Sequence, residues 1–513
     1  MKKSKPILTI LRTAAGGTGL RPCLVFALVL FLTGSFLMAE ETPAAEEPET
    51  AVSGEAAAPA ADQVPSQEDQ RLEIIRYGTD AEIAALIQSI KNENAGYLDE
   101  AFAELIETTK NRTILSGLFS YFGDRDKKNL EDRALAALEN RDGEAGETIL
   151  AAVDYLGKIR SVKALAPLKE LLDAEEQRFM NAAIKALGRA AGSAGEDGTA
   201  SAEADEAAEF LIDFYGNRDP GNENKREIIT ALGETGSPKG VSFLSGIAGN
   251  EDEGAVLRIA ALQSLAKLAD GGGLEAVLKA VSSADPNVRA SAVAALGPFP
   301  APEADAAIIE AFRDSFYRTR IAAAQAAGER KLAGAAAYLR YRAERDDVPA
   351  VKDEAIKALG AIWNGETRTA LEVLFSERRN PDRVRILAAE MLIKYDPDAY
   401  THTVIAGLDE AKSKNMNPLY NGILRVLGGA RSQKIEDLAA RFFSMGGVVE
   451  KSYALDMTAN NDLTGLIEEV RKLTDEKNGS LSRKAKTVLE QLEGGARTVN
   501  PEQDPPEEMS PEA

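Results

Sequence analysis

The chain is poor in the side chains on which much enzyme and metal chemistry depends. Its 513 residues contain one cysteine, one histidine and one tryptophan. A zinc site of the usual kind needs several cysteine or histidine ligands, so the composition excludes it. A Ser-His-Asp arrangement would have to use His402, which stands in the sequence THTV without a nucleophile signature nearby. We therefore interpret His402 as an ordinary helix residue, and we expect no enzyme activity, no cofactor and no metal.

Positive charge is also scarce, since the formal net charge is -22. Proteins that bind nucleic acid usually carry an excess of Lys and Arg to neutralise phosphates, so we expect no nucleic-acid partner. Aromatic residues make up only 6% of the chain, and few β-branched runs are bounded by turn signals, which argues against a sheet. A sequence rich in alanine and leucine instead predicts an all-α protein.

The first 39 residues have the layout of a secretory signal peptide. The stretch contains no acidic residue; five basic residues precede a short apolar run at 22–32, PCLVFALVLFL, and small residues then lead to Ala39. The run is short for a membrane span of about 20 residues, so an uncleaved amino-terminal anchor is the alternative. We expect the remaining chain to be exported to the periplasm or the cell envelope. The single cysteine, Cys23, lies within 1–39, so the mature chain has no disulfide.

Three stretches are strongly acidic and define the expected domain boundaries. Residues 40–70 hold nine acidic residues and no basic one, and 494–513 hold five acidic residues against Arg497. Such compositions predict a disordered Pro/Ala/Glu-rich spacer and a disordered tail. Residues 192–208, with five acidic residues, predict a loop insertion within the folded region. The folded region is therefore expected at 71–493.

The stretch 285–297, DPNVRASAVAALG, reads as one helix with its start signal attached. Asp285 suits the cap and Pro286 the first helical position, while Val288, Ala292 and Leu296 form an apolar stripe. Relatives of this stretch recur about 31 residues apart, with one longer step at the acidic insertion. Another helix fits between each pair, so the repeat unit is a helical hairpin. We expect about twelve stacked hairpins, with 80–89 and 97–108 forming the first and 112–122 an extra helix.

Five of the units agree in finer detail. Four residues after Leu257, Val288, Thr319, Val351 and Val384 comes an alanine, whose small side chain allows close helix packing. One residue after the same positions comes a cation, and we call these five cations the ladder: Arg258, Arg289, Arg320, Lys352 and Arg385. We interpret the ladder as pairing between repeats with acids such as Asp285 and Asp314. The alternative is an anionic partner bound along the array.

These motifs resemble a known family. DPNVRASAVAALG, and ALAPLKELL followed by NAAIKALG, are similar to HEAT repeats, particularly the HEAT-like repeats associated with phycobilisome lyases. The resemblance extends over roughly 145–490 and implies an α-solenoid, a superhelix of the armadillo/HEAT type. Its implication for function is broad, because the family includes scaffolds, transport proteins and occasional enzymes.

Residues 313–385 form a relatively basic belt in an acidic protein. They contain fifteen Lys and Arg against eleven Asp and Glu, together with the only tryptophan. Arg and Trp are enriched at the centres of protein interfaces. The candidate partner-binding residues are Arg340, Arg342, Arg345, Trp363, Arg378, Arg379 and Arg383. The alternative is a solvated face on which Trp363 closes a corner between helices.

The sequence thus favours a non-enzymatic scaffold of the periplasm or envelope that binds protein partners through its repeat surface. An envelope-attached module that binds anionic lipid or cell-wall polymer is the alternative. A lyase-type enzyme is a third interpretation, which follows from the family resemblance alone. The sequence does not identify the partner or the oligomeric state.

Overall fold

A computed structural model describes residues 66–91, 93, 95–192, 201–218 and 220–496. In this part of the chain, no residue lies in a strand, and 26 helices follow one another with short 3-10 turns between some of them. The predicted signal peptide at 1–39 lies outside the described residues. So does most of the predicted spacer and tail.

The helices form two layers, because each odd-numbered helix is followed by an antiparallel even-numbered one. The odd layer consists of α1 Gln67–Tyr77, α3 Asp99–Thr108, α5 Glu131–Glu139, α7 Leu165–Asp173, α9 Ala202–Arg218, α11 Gly240–Gly249, α13 Leu274–Ala280, α15 Pro302–Ala311, α17 Ala336–Arg345, α19 Gly365–Ser376, α21 Pro397–Ser413, α23 Glu436–Met445 and α25 Ile467–Lys472. The even layer consists of α2 Asp80–Ser89, α4 Arg112–Gly123, α6 Gly146–Lys158, α8 Gln177–Ala191, α10 Gly221–Glu234, α12 Ala255–Leu268, α14 Pro286–Ala295, α16 Tyr317–Glu329, α18 Pro349–Ile362, α20 Asp382–Tyr395, α22 Asn417–Gly428, α24 Val448–Asn460 and α26 Gly479–Ala496.

Every even helix packs against the next even helix, from α2 through α26, and against the odd helix of its own hairpin. The described residues thus contain thirteen stacked hairpins, one more than the approximate number expected from the repeats. The prediction of an all-α solenoid is confirmed. The hairpins share one continuous core of buried residues that extends from Ile75 to Leu492.

Helix α14 shows how the repeat sequence specifies its own start. The Asp285 carboxylate accepts hydrogen bonds from the backbone N–H groups of Asn287 and Val288, at 2.7 and 3.3 Å, and Pro286 occupies the first helical position. Val288, Ala292 and Leu296 are fully buried. The cap and the apolar stripe expected from the sequence are confirmed.

The even layer is held together where small residues meet. A Cβ atom added to Gly188 on α8 would lie 2.7 Å from both the Cβ and the carbonyl oxygen of Ala231 on α10. Gly157 meets Ala186 in the same way one hairpin earlier, at 2.8 Å from its Cα. Backbones therefore approach one another closely along this layer, and the repeat's alanine column, including Ala292, is fully buried for the same reason.

Two expected domain boundaries are wrong. Helix α1 begins at Gln67, inside the predicted spacer 40–70, because Ser66 and Asp69 form a reciprocal capping box there. Helix α9 begins at Ala202, inside the predicted insertion 192–208. Acidic residues are stabilised in the first turn of a helix by its dipole, and α9 has Glu203 and Asp205 there.

The acidic composition of 192–208 therefore led to the prediction of a loop where helix α9 begins, because the apolar face of this helix consists of alanines. Ala204, Ala207 and Ala208 on α9 are buried against the neighbouring hairpins, and Glu206 pairs with Lys169 at 2.7 Å. Residues 193–200 lie outside the described residues. At the other end, α26 continues to Ala496, slightly past the expected limit at 493.

The pairing expected at the amino-terminal end is also wrong. Helix α2 packs on α1 and α4, and α3 packs on α1 and α4, so the first two hairpins are α1–α2 and α3–α4. Residues 112–122 are therefore the even helix of the second hairpin, not an extra helix. The error arose because α1 overlaps the acidic stretch at 40–70, so the register began one helix late.

Among the described residues, no helix combines the length and the apolar character that crossing a lipid bilayer requires.

Candidate functional site

Ladder arginines in the middle of the array join one hairpin to the next. Arg289 on α14 makes two hydrogen bonds to the Asp314 carboxylate, at 2.8 and 3.0 Å, and Arg320 on α16 makes two to Asp346, at 2.7 and 2.8 Å. A third donor of each guanidinium binds backbone carbonyls of its own hairpin, as Arg320 does with Asp314 at 3.0 Å. This fork geometry is the one that arginine offers to carboxylates.

Burial by itself would raise the pKa of Asp346. Its hydrogen bonds from the Arg320 guanidinium and the Val348 N–H outweigh that effect, so its pKa lies below the usual 3.8. The pKa of Asp314 is lowered by Arg289 and the Phe316 N–H against the same burial effect. Both aspartates thus stay charged and hold the joints.

The interpretation of the ladder as pairing between repeats is therefore confirmed for Arg289 and Arg320, although Asp285 is a helix cap and not a ladder partner. Arg258 donates to the Ala248 carbonyl at 3.1 Å and to the Ser283 hydroxyl at 3.2 Å. Lys352 donates to the Glu344 carbonyl, and Arg385 donates to the Phe375 carbonyl.

Most arginines of the basic belt lie near the edge where odd helices connect to even helices, since three are on α17 and Arg378 and Arg379 follow α19. Arg383 is the second residue of α20, and it lines a cavity of about 640 Å³ together with Glu390 and Arg425. Five of the six have an acidic partner: Arg340 with Glu344 at 3.6 Å, Arg342 with Asp346 at 3.3 Å, Arg378 with Glu410 at 2.7 Å, Arg379 with Glu377 at 3.5 Å, and Arg383 with Asp353. Arg345 is exposed and forms no ion pair with the described residues. Local acids therefore balance most of the belt, and its role in binding stays a prediction.

Trp363 lies away from these arginines. It ends α18 in the left-handed conformation, with φ 43°, at the opposite edge of the layers. Its ring stacks on Tyr395 at a centroid distance of 5.4 Å and meets the edge of Tyr400 at 6.1 Å. Helix α18 has 14 residues, so about 20 Å separates its two ends. The structure does not bring Trp363 together with the belt arginines, and its contacts join hairpins.

A groove crosses the exposed face of the even layer from α16 to α22. It consists of three adjoining cavities of about 660, 640 and 510 Å³. Glu390 lines all three, while Lys394 and Arg425 each line two. Apolar side chains between the charges include Ile386 and Ile393. We call this surface the even-layer groove.

The charges at the centre of the groove are free to meet a partner. Glu390, Lys394 and Arg425 are exposed, and within the described residues none of them forms an ion pair. Lys394 lies over the Tyr395 ring at 5.3 Å. By contrast, Lys357 at the groove wall is paired with Glu354 at 3.3 Å. The groove therefore presents both signs of charge above apolar surface.

Sequence reasoning missed this groove, although a signal for it exists. The residue six positions after the third residue of an even helix lies on this face of the layer. It is Gln325 on α16, Lys357 on α18, Glu390 on α20 and Arg425 on α22. The columns used to recognise the repeats were the buried ones, which report packing. The exposed column varies from unit to unit, and variation of this kind is where a repeat protein can encode a partner.

His402 lies on α21 and is exposed, as expected for an ordinary helix residue. The described residues contain no group of three or more His, Cys, Asp or Glu side chains that could hold a metal ion.

The sequence model of the family described as spirochaete HEAT repeat protein matches residues 75–488. The chain belongs to this family. The match extends further towards the amino terminus than the resemblance at 145–490, since the helices there also form regular hairpins. It supports the HEAT family and not specifically the phycobilisome-lyase-associated subclass.

Solved structures of other HEAT-type solenoids are similar to this chain at low identity. The crystal structure of Kap121p aligns with 11% identity and a TM-score of 0.43, covering 82% of this chain and 53% of that one. This HEAT repeat protein thus spans about half the length of Kap121p. A chain of a homology model of the AP-3 complex aligns with 11% identity and a TM-score of 0.38, covering 84% and 93% of the two chains. Human deoxyhypusine hydroxylase aligns with 18% identity and a TM-score of 0.23, covering 54% and 99%. Among curated protein sequences, none matches this chain.

Proposed function

We propose that this HEAT repeat protein is a non-enzymatic scaffold of the periplasm or cell envelope, and that it binds a protein partner in the even-layer groove. The observation that carries the proposal is the set Glu390, Lys394 and Arg425, which lie above an apolar surface and form no ion pair within the described residues. Groups of both signs select a partner by position, and apolar contacts between them supply affinity.

The groove suits a polypeptide better than a small molecule. Its three cavities join across four successive even helices, so an occupant that fills them has to be long. The rigid packing of the even layer holds the charges at fixed spacing, which reduces the entropy that binding costs. An extended segment or a helix face of another protein meets both requirements.

The location is part of the proposal and rests on the sequence at 1–39, with its basic start and short apolar run. Cell fractionation of the native organism, with antibody detection and amino-terminal sequencing of the isolated protein, tests it. A chain that begins near residue 40 in the periplasmic fraction is expected. Retention of the full chain in the cytoplasm would contradict the proposed location.

Capture from envelope extracts tests the groove. The full chain is immobilised, and the captured proteins are identified and compared with those from the double variant Lys394→Glu, Arg425→Glu. The variant is expected to lose a discrete partner, because it replaces both free cations by acids beside Glu390. The matched control is Lys110→Glu, Lys486→Glu, which makes the same charge change at exposed positions distant from the groove.

The partner captured by the wild-type chain should then bind the control variant normally in a direct titration. If the groove variant and the control bind that partner equally, the groove is not the interface. The belt can be examined in the same titration with Arg340→Glu, Arg345→Glu and Arg379→Glu. Arg342 is left unchanged there, because it contacts the buried Asp346 and its reversal would damage the joint.

A second candidate function, attachment to anionic lipid, is favoured by one exposed apolar turn. Met445, Val448 and Val449, at the turn between α23 and α24, are 77, 51 and 56% exposed. Sedimentation with vesicles of anionic and of neutral lipid tests it. Substituting all three by Ser should abolish binding to anionic vesicles if this turn inserts, whereas Val162→Ser at the opposite edge should not. Absence of vesicle binding by the wild-type chain eliminates this candidate.

A further inference from the structure

The joints of the ladder follow a positional rule. Each ladder cation is the fourth residue of its even helix, and in three successive joints it meets one position of the next hairpin. That position lies five residues before the third residue of the next even helix. It holds Ser283 for Arg258, Asp314 for Arg289, and Asp346 for Arg320. The position therefore supplies an oxygen acceptor in each of these three joints.

The rule breaks at the next two joints, where the acceptor position holds a cation. It is Arg379 in the joint of Lys352 and Lys414 in the joint of Arg385. Lys352 compensates, because its ammonium group donates to the Glu344 carbonyl of its own hairpin at 3.0 Å.

Arg385 does not compensate fully. Its Nε donates to the Phe375 carbonyl at 2.8 Å, just as Arg258 uses its Nε on Ala248. Arg258 then places Nη1 on Ser283, whereas Nη1 of Arg385 is buried and has no hydrogen-bond partner among the described residues. The Arg385 side chain belongs to a residue only 2% exposed. A buried charged donor without an acceptor is costly, so this joint is incomplete.

The charges around Arg385 are also unbalanced. Glu410 accepts from Arg378 at 2.7 Å and from Lys414 at 2.5 Å. Its carboxylate is thus already shared by two cations. The acceptor position of this joint therefore holds a cation that is already paired with Glu410, while the joints of Arg289 and Arg320 each have an aspartate at that position.

We propose that the joint between α20 and the turn after α21 is a binding site for a carboxylate. The carboxylate comes from an Asp or Glu side chain of an acidic segment and completes the guanidinium of Arg385, as Asp346 completes that of Arg320. Lys414, at the acceptor position, and Arg378, which shares the Glu410 carboxylate with it, supply further positive charge. Because Nη1 is covered, the turn at 413–416, which contains Asn415 with φ 56°, moves outward on binding.

Two sources provide such a carboxylate. One is the chain itself, whose residues 497–513 contain five acidic side chains, and the other is an acidic segment of a partner. The chemistry is the same in both cases. The site does not depend on the even-layer groove, because Arg385 faces the odd layer through Phe375, whereas Glu390 and Arg425 face the groove.

The central experiment restores the missing acceptor within the chain. Lys414→Asp places a carboxylate where Asp346 stands two joints earlier, so we expect a higher melting temperature for the full chain. Lys414→Ser, which copies Ser283, should have a smaller effect of the same sign. The matched control is Lys412→Asp, which makes the same charge change two residues away and should not raise the melting temperature.

Binding is measured with a synthetic peptide of residues 500–512, NPEQDPPEEMSPE, at low salt. The titrated protein is the full chain in which Glu502, Asp504, Glu507, Glu508 and Glu512 are replaced by the corresponding amides. Lys414→Asp in this chain should weaken peptide binding about tenfold or more, since the substitution removes a charge-assisted hydrogen-bonded contact with the peptide. The peptide with amides in place of its acids should not bind, and Lys394→Glu with Arg425→Glu should leave peptide binding unchanged.

The native tail distinguishes the two sources. Weaker peptide binding to the chain with its native tail shows that the tail occupies the site, and equal binding shows that the site is open to a partner. The proposal is overturned if the peptide does not bind the chain with the neutral tail, or if Lys414→Asp and Lys412→Asp change melting temperature and peptide binding equally.

Discussion

Asp346 shows how much one side chain contributes to a joint between hairpins. It is 3% exposed, it accepts both bonds of the Arg320 fork, and it also accepts the Val348 N–H at 3.0 Å. Removing one member of a buried ion pair leaves the other charge without a partner. The loss is therefore larger than the net contribution of the pair itself.

Asp346→Asn is expected to lower the free energy of unfolding by about 3–5 kcal/mol, because it leaves Arg320 buried beside a neutral amide. Urea denaturation followed by circular dichroism measures the change. The neighbouring Asp347→Asn serves as the control, since Asp347 is exposed and within the described residues forms no ion pair. Equal midpoints for the two variants would show that the buried fork contributes little.

The same carboxylates predict how stability depends on pH. Since the pKa values of Asp314 and Asp346 are lowered on folding, their contribution is fully present above the unfolded value near 3.8. It is lost as the pH falls through the folded pKa values below 3.8. The urea midpoint should therefore drop steeply between about pH 4 and 2. Asp346→Asn should flatten this dependence, and a slope equal to that of the wild type would argue against Asp346 as a source.

At the residue scale, the sequence predicts what repeats. Ladder pairing could be inferred because the cations recur at one position, and Asp285 could be recognised as a cap from Pro286 beside it. The sequence did not reveal that Arg385 lacks an acceptor for its Nη1 within the described residues, or that Lys414 occupies the acceptor position. This difference becomes visible only when the hydrogen bonds of successive joints are compared. The free charges Glu390 and Arg425 escaped notice because exposed columns have no common residue type.

At the scale of elements, the even layer depends on helices that touch through backbone and Cβ atoms. The contact of Gly188 with Ala231 leaves no space for an added methyl group. Helix propensity and packing therefore make opposite demands at this glycine. The packing demand should win, because the neighbouring atoms at 2.7 Å include a backbone oxygen that cannot rotate away.

Gly188→Ala should destabilise the protein by about 1–3 kcal/mol through overpacking, in spite of the better helix propensity of alanine. The control is Gly246→Ala on α11, where an added Cβ meets nothing within 4 Å. That substitution should stabilise by about 0.5–1 kcal/mol. Thermal unfolding of both variants measures the two opposite shifts. Stabilisation by both would mean that the even helices can move apart without cost.

Element boundaries were predictable where a cap and an apolar stripe coincide, as at α14. They were mispredicted where acidic residues begin a helix. At α9 the acids serve the helix dipole on one side while Ala204 and Ala207 pack on the other, so composition indicated a loop where local chemistry forms a helix. The first hairpin was misassigned for the same reason, since α1 starts within an acidic stretch.

At the scale of the whole molecule, the thirteen hairpins of the described residues contact mainly their neighbours in sequence. Stability in such an array is close to a sum of unit and neighbour terms, and unfolding need not be all-or-none. The exported location and the partner remain proposals at this scale, because the periodicity that predicts the fold carries no information about either.

Hydrogen exchange measured by mass spectrometry should reveal this locality. In Asp346→Asn, faster exchange is expected in α15 to α18, the two hairpins that meet at the joint, because their packing loses the Arg320–Asp346 contact. Exchange in α1 to α6 should match the wild type. A uniform increase along the chain would instead indicate a single cooperative unit.

The regular spacing of the even helices makes the groove a molecular ruler. Neighbouring packed helices lie about 8–10 Å apart, and an extended polypeptide advances about 3.3 Å per residue. A strand laid across α16 to α22 would meet Gln325, Lys357, Glu390 and Arg425 at about every third residue. The best ligand would then carry a polar, an acidic, a basic and an acidic side chain in this order at that interval. Inserting one residue between two of these side chains would misalign the following ones with their groove residues.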